Sequence, residues 1–155
     1  MSGVIAMTVI RIVALLLMLG VANHSIAAAS LDQCVDEAAE RFGHDRKLLR
    51  TLVEIESGGK CVRIHPIKNA NKTYDIGCLG INSAWLPMLE KKFGFTESDL
   101  YEPCNNIHVG AWVLAKNIRL YGNTWRAVGA YNARTETKRM EYAWRVSTKL
   151  VQSNR

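Results

Sequence analysis

The chain has 155 residues, 48% hydrophobic and 22% charged, which suits one globular domain with a sizeable core and excludes a purely disordered chain. Twenty Lys and Arg against 14 Asp and Glu give a net charge of +6 with no run of like charges, so no charged tail, linker, repeat or low-complexity segment divides the sequence. The four cysteines form no C-x-x-C pair and lie in no His-rich cluster, which argues against zinc or haem.

The opening segment MSGVIAMTVIRIVALLLMLGVANHSIAAAS carries one charge, Arg11, then an apolar block from Ile12 to Ala22, then small residues through Ala29. That order is the order of a secretory signal peptide, and the 11-residue block falls short of the roughly 20 that span a bilayer. A retained anchor would need Val4 to Ile10 in the membrane as well, with Arg11 snorkelling. The reading is therefore residues 1–29 as a signal and residues 30–155 as one domain exported to the periplasm, without a stable membrane anchor. Removing the signal takes one basic side chain and no acidic one, leaving +5. Such a surplus suits an anionic wall or membrane surface, and equally a basic protein with no charged partner.

All four cysteines, Cys34, Cys61, Cys78 and Cys104, lie beyond the cleavage site, and an even count in an exported chain reads as two disulfides. Three pairings are possible. Cys34–Cys104 with Cys61–Cys78 is favoured, because the inner pair brackets a single loop while the outer pair ties the first helix to the middle of the chain. In the chain-entropy model these bridges stabilise by roughly 4 and 3 kcal/mol.

Ser30-Leu31-Asp32-Gln33 has capping-box form, and Cys34, Val35, Ala38, Ala39 and Phe42 recur at helical spacing, predicting a helix from Leu31 to Phe42 that Gly43 stops. Asp45 caps a second helix with Leu48, Leu49, Leu52 and Val53 as its apolar stripe. Glu56 lies four residues after Leu52 and three after Val53, so it projects from that stripe, whereas Glu54 lies four after Arg50 and reads as its exposed ion-pair partner. A carboxylate on an apolar face is costly to ionise, and its pKa is expected to rise toward the range of a general acid. On this evidence alone the more ordinary reading is that Glu56 caps or braces the Ser57-Gly58-Gly59 turn.

From Lys60 to Thr73 the pattern gives way to a polar loop, in which His65 beside Pro66 reads as an exposed residue and Asn71-Lys72-Thr73 as a chance glycosylation sequon. Tyr74 to Asn82 is too glycine-rich for a helix and predicts a short strand pair or tight loop. Helices are then expected over Ser83–Phe93, from Thr96-Glu97-Ser98-Asp99, over Asn106–Tyr121 and over Trp125–Tyr131. The last runs from Glu136 to Val151 with Met140, Ala143, Trp144, Val146, Leu150 and Val151 inward as core.

Three segments carry a resemblance in order: Glu56-Ser57-Gly58-Gly59 after a Leu-rich helix, Asp75-Ile76-Gly77 with Ile81-Asn82, and Ala127-Val128-Gly129-Ala130-Tyr131-Asn132-Ala133. Together they resemble the motifs of the soluble lytic transglycosylase family of the lysozyme-like superfamily. Cys34 and Glu102-Pro103-Cys104 are similar to features of its small specialised members, which accompany secretion, conjugation and pilus machines. The resemblance implies a mainly α (α+β lysozyme-like) fold with a short β-hairpin. It implies that Glu56 acts as catalytic acid and base on the MurNAc-β-1,4-GlcNAc bond of peptidoglycan, leaving a 1,6-anhydroMurNAc end. It also implies that Ser57, Asn82, Tyr131 and Asn132 line the substrate cleft, with Asn82 as easily closing a turn.

The family usually has glutamine where Gly80 stands, leucine at Cys78 and glycine at Arg134; Gly80 is read as leaving a roomier cleft and Arg134 as placing a cation near anionic substrate groups. Asp75 stays open between a backbone-capping turn residue and a second carboxylate of the lysozyme kind, in which case the enzyme is a hydrolytic muramidase. A non-catalytic peptidoglycan-binding assembly factor is the alternative outside enzymes. No metal or cofactor is expected. The expected partners are glycan strands and an envelope apparatus, with no nucleic acid and a monomeric chain.

Overall fold

The computed structural model describes residues 29–64 and 69–153, so the expected signal segment, apart from Ala29, and His65 lie outside the described residues. Among the described residues six α-helices and a two-stranded sheet follow in the order α1 (Leu31–Phe42), α2 (Arg46–Ser57), β1 (Asp75–Ile76), β2 (Ile81–Asn82), α3 (Leu86–Phe93), α4 (Pro103–Tyr121), α5 (Trp125–Gly129) and α6 (Glu136–Gln152). The fold is thus the mainly helical one with a hairpin that the sequence predicts.

Local chemistry sets the helix boundaries. Ser30 Oγ accepts from the Gln33 amide at 3.2 Å, but the Gln33 side chain pairs with Glu37 (3.0 Å), so only half of the capping box forms. Asp45 Oδ1 accepts from the Leu48 amide at 2.8 Å to start α2. The Ser83–Phe93 stretch divides into a 3-10 turn over Ser83–Trp85 and α3 from Leu86, where Pro87, lacking an N–H, fits the first α-helical turn. A second 3-10 turn covers Ser98–Tyr101, and Asp99 Oδ2 accepts from the Thr96 amide at 2.7 Å ahead of it. The long helix begins at Pro103, three residues before the expected Asn106, for the same reason as α3: proline is tolerated at the first position of a helix.

Around α4 the other elements assemble. Cys34, Ala38, Leu49, Leu52, Ile107, Ala111 and Leu114 lie in one buried core where α1 packs along α4, and α6 packs along α2 and α5. The strands pair antiparallel in the register Asp75 to Asn82 and Ile76 to Ile81, and Ile64 adds a single bridge to Ile76. Disulfides join Cys34 to Cys104 and Cys61 to Cys78; the first ties α1 to the opening turn of α4, the second ties the loop after α2 to the hairpin turn. Asn106, fully buried at the start of α4, accepts from the Leu79 amide (2.8 Å) and donates to the carbonyls of Ile76 (2.9 Å) and Leu100 (3.0 Å). One side chain thereby bonds three backbone groups and ties the start of α4 to the hairpin and to the 3-10 turn before it.

Two sequence expectations are corrected. Glu54 pairs with Lys149 of α6 at 3.3 Å while Arg50 pairs with Asp32 of α1, because the neighbouring helices bring partners from outside the i,i+4 row. On α6 the buried residues are Tyr142, Ala143 and Val146, whereas Met140, Trp144 and Val151 are 49%, 75% and 58% exposed. Rotation of α6 is decided by its approach to α5, where the Arg139 backbone lies directly against Gly129 and leaves no room for a side chain there. The face with Tyr142, Ala143 and Val146, which continues from Arg139 along the helix, therefore turns inward, and Met140, Trp144 and Val151 stay outside.

Candidate functional site

Glu56 occupies the last turn of α2, which ends because Gly58 takes a left-handed conformation (φ 62°) and returns its N–H to the Glu54 carbonyl at 2.9 Å. The half-buried Glu56 carboxyl meets two elements distant in sequence. The Tyr142 hydroxyl, from the inner face of α6, donates to Oε1. Oε2 lies against the hairpin turn: a Cβ added at Gly80 would be 2.9 Å from it. The missing side chain at Gly80 is therefore filled by the glutamate itself, which corrects the expectation of a roomier cleft.

The second and third motif segments meet through Tyr131. Its hydroxyl donates to the Leu79 carbonyl at 2.8 Å, next to Gly80, and this approach needs the bare backbone of Gly110 in α4, where a Cβ would be 2.8 Å from the same hydroxyl. Burial, then the charges of Glu56 and Asp75, push the Tyr131 hydroxyl well above its ordinary pKa. For Tyr142 the order is burial, the Glu56 charge and the Glu56 hydrogen bond, with the same direction. Both phenols therefore keep their protons at neutral pH and are available as hydrogen-bond donors.

Asp75 also acts electrostatically on Tyr131, and its Oδ1 is held by the side-chain amides of Asn82 (2.8 Å) and Asn69 (3.3 Å). The Asn82 amide is committed within the hairpin, donating to Asp75 and Thr73 Oγ1 (3.0 Å) and accepting from the Ala84 amide (3.1 Å). Ser57 Oγ donates back to the Val53 carbonyl at 3.1 Å, so its hydroxyl braces the helix end. Asn132 is exposed in the turn after Tyr131, and Arg134 is exposed two residues on. The fold thus brings together Glu56, the Gly80 backbone, Tyr131 and the charge of Asp75, while Ser57 and Asn82 are occupied by local bonds.

Tyr142 and Asn106 are the residues the sequence reading missed. Tyr142 stands four residues before Val146, a helical spacing that marks one face of α6, but Met140 and Trp144 mark a competing one. Asn106 carries no local signal, since its three partners come from residues 76, 79 and 100. Among the described residues no group of three or more His, Cys, Asp or Glu is placed to hold a metal ion.

Comparison with known proteins bears on the same segments. Residues 33–147 match the family model described as transglycosylase SLT domain, a span that includes Glu56, the hairpin, Tyr131 and Tyr142. Invasion protein IagB of Salmonella typhimurium (strain LT2) is 35% identical over 123 residues, covering 79% of this chain and 75% of that protein. Protein IpgF of Shigella flexneri is 36% identical over 115 residues, 71% of this chain and 74% of its own. A peptidoglycan-binding-like protein of Escherichia coli O157:H7 is 34% identical over 122 residues, 73% of each chain.

Proposed function

This chain belongs to the transglycosylase SLT domain family, and from that premise we propose that it is a peptidoglycan lytic transglycosylase in which Glu56 is both acid and base. The observation that carries the reading is the seat of Glu56, half-buried between Gly80 and the Tyr142 hydroxyl. Its place at the C-terminal end of α2, the negative end of the helix dipole, opposes charge on the carboxyl, and the Tyr142 hydroxyl serves either form by donating to the carboxylate or accepting from the acid.

The proton of Glu56 passes to the glycosidic oxygen as the bond from C1 of N-acetylmuramic acid breaks, with the 2-acetamido group stabilising the cationic centre. The resulting carboxylate takes the proton of the C6 hydroxyl while that oxygen closes on C1. The product is a 1,6-anhydro end; Glu56 is regenerated and no water is consumed. Two disulfides suit an oxidising compartment, which supports action in the periplasm. Local opening of the wall for an envelope-spanning apparatus is supported by the relative named an invasion protein.

A hydrolytic muramidase is the second reading, favoured by Asp75, whose charge reaches Tyr131 together with that of Glu56. Mass spectrometry of fragments released from purified peptidoglycan separates the two: anhydro ends are expected, and reducing ends would replace the transglycosylase reading with the muramidase.

Two further outcomes follow from the seat of Glu56. Tyr142→Phe removes a hydrogen bond to a carboxyl and is expected to lower kcat by about tenfold with little change in KM, since Tyr142 is buried behind Glu56. Steady-state kinetics on a soluble glycan chain measure it. Gly80→Ala is expected to lower kcat by on the order of a hundredfold through displacement of Glu56. The same change costs about 1–3 kcal/mol because φ is 56° there, so calorimetry should record a melting point several degrees lower.

A further inference from the structure

On α4, Gly110 faces Leu79 and Tyr131 of the site just described, while His108 and Trp112, two residues to either side, point to the opposite face of the helix. There a separate cavity of about 390 Å³ opens between α1, α3 and α4. Its walls are aromatic: Phe42 from the end of α1, Phe93 from the end of α3, Phe95 just beyond it, and Trp112. Trp112 is held by edge contacts to Phe93 (centroids 5.4 Å apart) and Trp85 (5.7 Å), so part of the box is preformed.

Two observations specify the chemistry of an occupant. First, cations stand over the lining rings: Arg41 over Phe42 (5.9 Å), Lys92 over Phe93 (5.4 Å) and Lys116 over Trp112 (5.1 Å). Second, His108 Nδ1 is buried and has no hydrogen-bond partner in the chain. Burial, then the charge of Arg41, push the imidazole below its ordinary pKa, with Glu37 opposing, so the ring is neutral at neutral pH and offers a single polar contact. Apart from His108, Asn105 and the rim guanidinium, the lining is apolar. A sugar ring or a nucleobase would leave its polar edges unpaired against Leu89, Val109 and the phenyl walls; a plain aromatic side chain would not.

We propose that this cavity binds an acidic aromatic segment of a partner protein, its phenyl ring entering the box while a flanking carboxylate meets the Arg41 guanidinium and His108. The site lies across α4 from Glu56, so the occupant leaves the glycan cleft open and the inference stands independently of the catalytic reading.

The test is a two-dimensional NMR titration of the disulfide-bonded protein with acetyl-Glu-Phe-Glu-amide and, separately, acetyl-Lys-Phe-Lys-amide. The acidic peptide is expected to shift the Trp112 indole and His108 ring signals saturably and to bind about tenfold more tightly than the basic one. Arg41 is exposed, so Arg41→Glu should fold normally and reverse that preference, and Lys92→Glu should weaken it. Three results would overturn the proposal: no saturable shift up to about 10 mM of the acidic peptide, equal binding of both peptides, or shifts confined to signals around Glu56 and Tyr131.

Discussion

Glu56→Gln is expected to reduce release of soluble fragments from peptidoglycan by about a hundredfold to ten-thousandfold, the range that a positioned general acid contributes. The amide has the shape of the acid, so it fits the same space against Gly80, and its oxygen still accepts from the Tyr142 hydroxyl. What it lacks is a proton acidic enough to give to the glycosidic oxygen and a carboxylate able to take one from the C6 hydroxyl. The thermal midpoint should therefore stay close to that of the parent, and sedimentation with insoluble peptidoglycan should be retained. Undiminished fragment release by the variant would remove Glu56 from the chemistry; absence of release by both proteins would favour a peptidoglycan-binding assembly factor, a role in which the amide should support biological function as well as the acid.

The second large effect concerns stability. Asn106→Leu keeps the branched outline of a fully buried side chain, at a larger volume, but removes the bonds that Asn106 makes to the Leu79 amide and to the carbonyls of Ile76 and Leu100. Leaving a buried polar group without a partner costs about 1–3 kcal/mol, so the variant should lose about 4 kcal/mol in urea unfolding once partial relaxation is allowed. Activity should fall beyond the loss of folded protein, because the Leu79 carbonyl receives Tyr131 and the adjoining Gly80 abuts Glu56. Unfolding free energies within about 1 kcal/mol of the parent would mean that Asn106 is not the tie between α4 and the hairpin.

Much of the secondary structure was legible because its causes are local. Ser30 and Asp45 cap the helices that follow them, and Gly43, Gly58 and Gly94 close three of them in left-handed conformations. Glu56 was legible as well, since its offset from Leu52 and Val53 is a property of helix geometry. The tie between α4 and the hairpin was not, because Asn106 acts on groups up to 30 residues away. Nor was the pairing of Glu54 with Lys149, which crosses from α2 to α6.

By itself the sequence determined the helices, the hairpin, the even set of cysteines and the position of one carboxyl at the end of an apolar stripe, all consequences of periodicity and capping within a few residues. Only the tertiary structure decided which face of α6 is buried, and therefore that Tyr142 rather than Met140 or Trp144 points inward to Glu56. Both faces carry enough apolar surface to be covered. The choice rests on steric fit, because the backbone of Arg139 can approach α5 only at the bare Gly129, and that contact fixes the rotation of the whole helix.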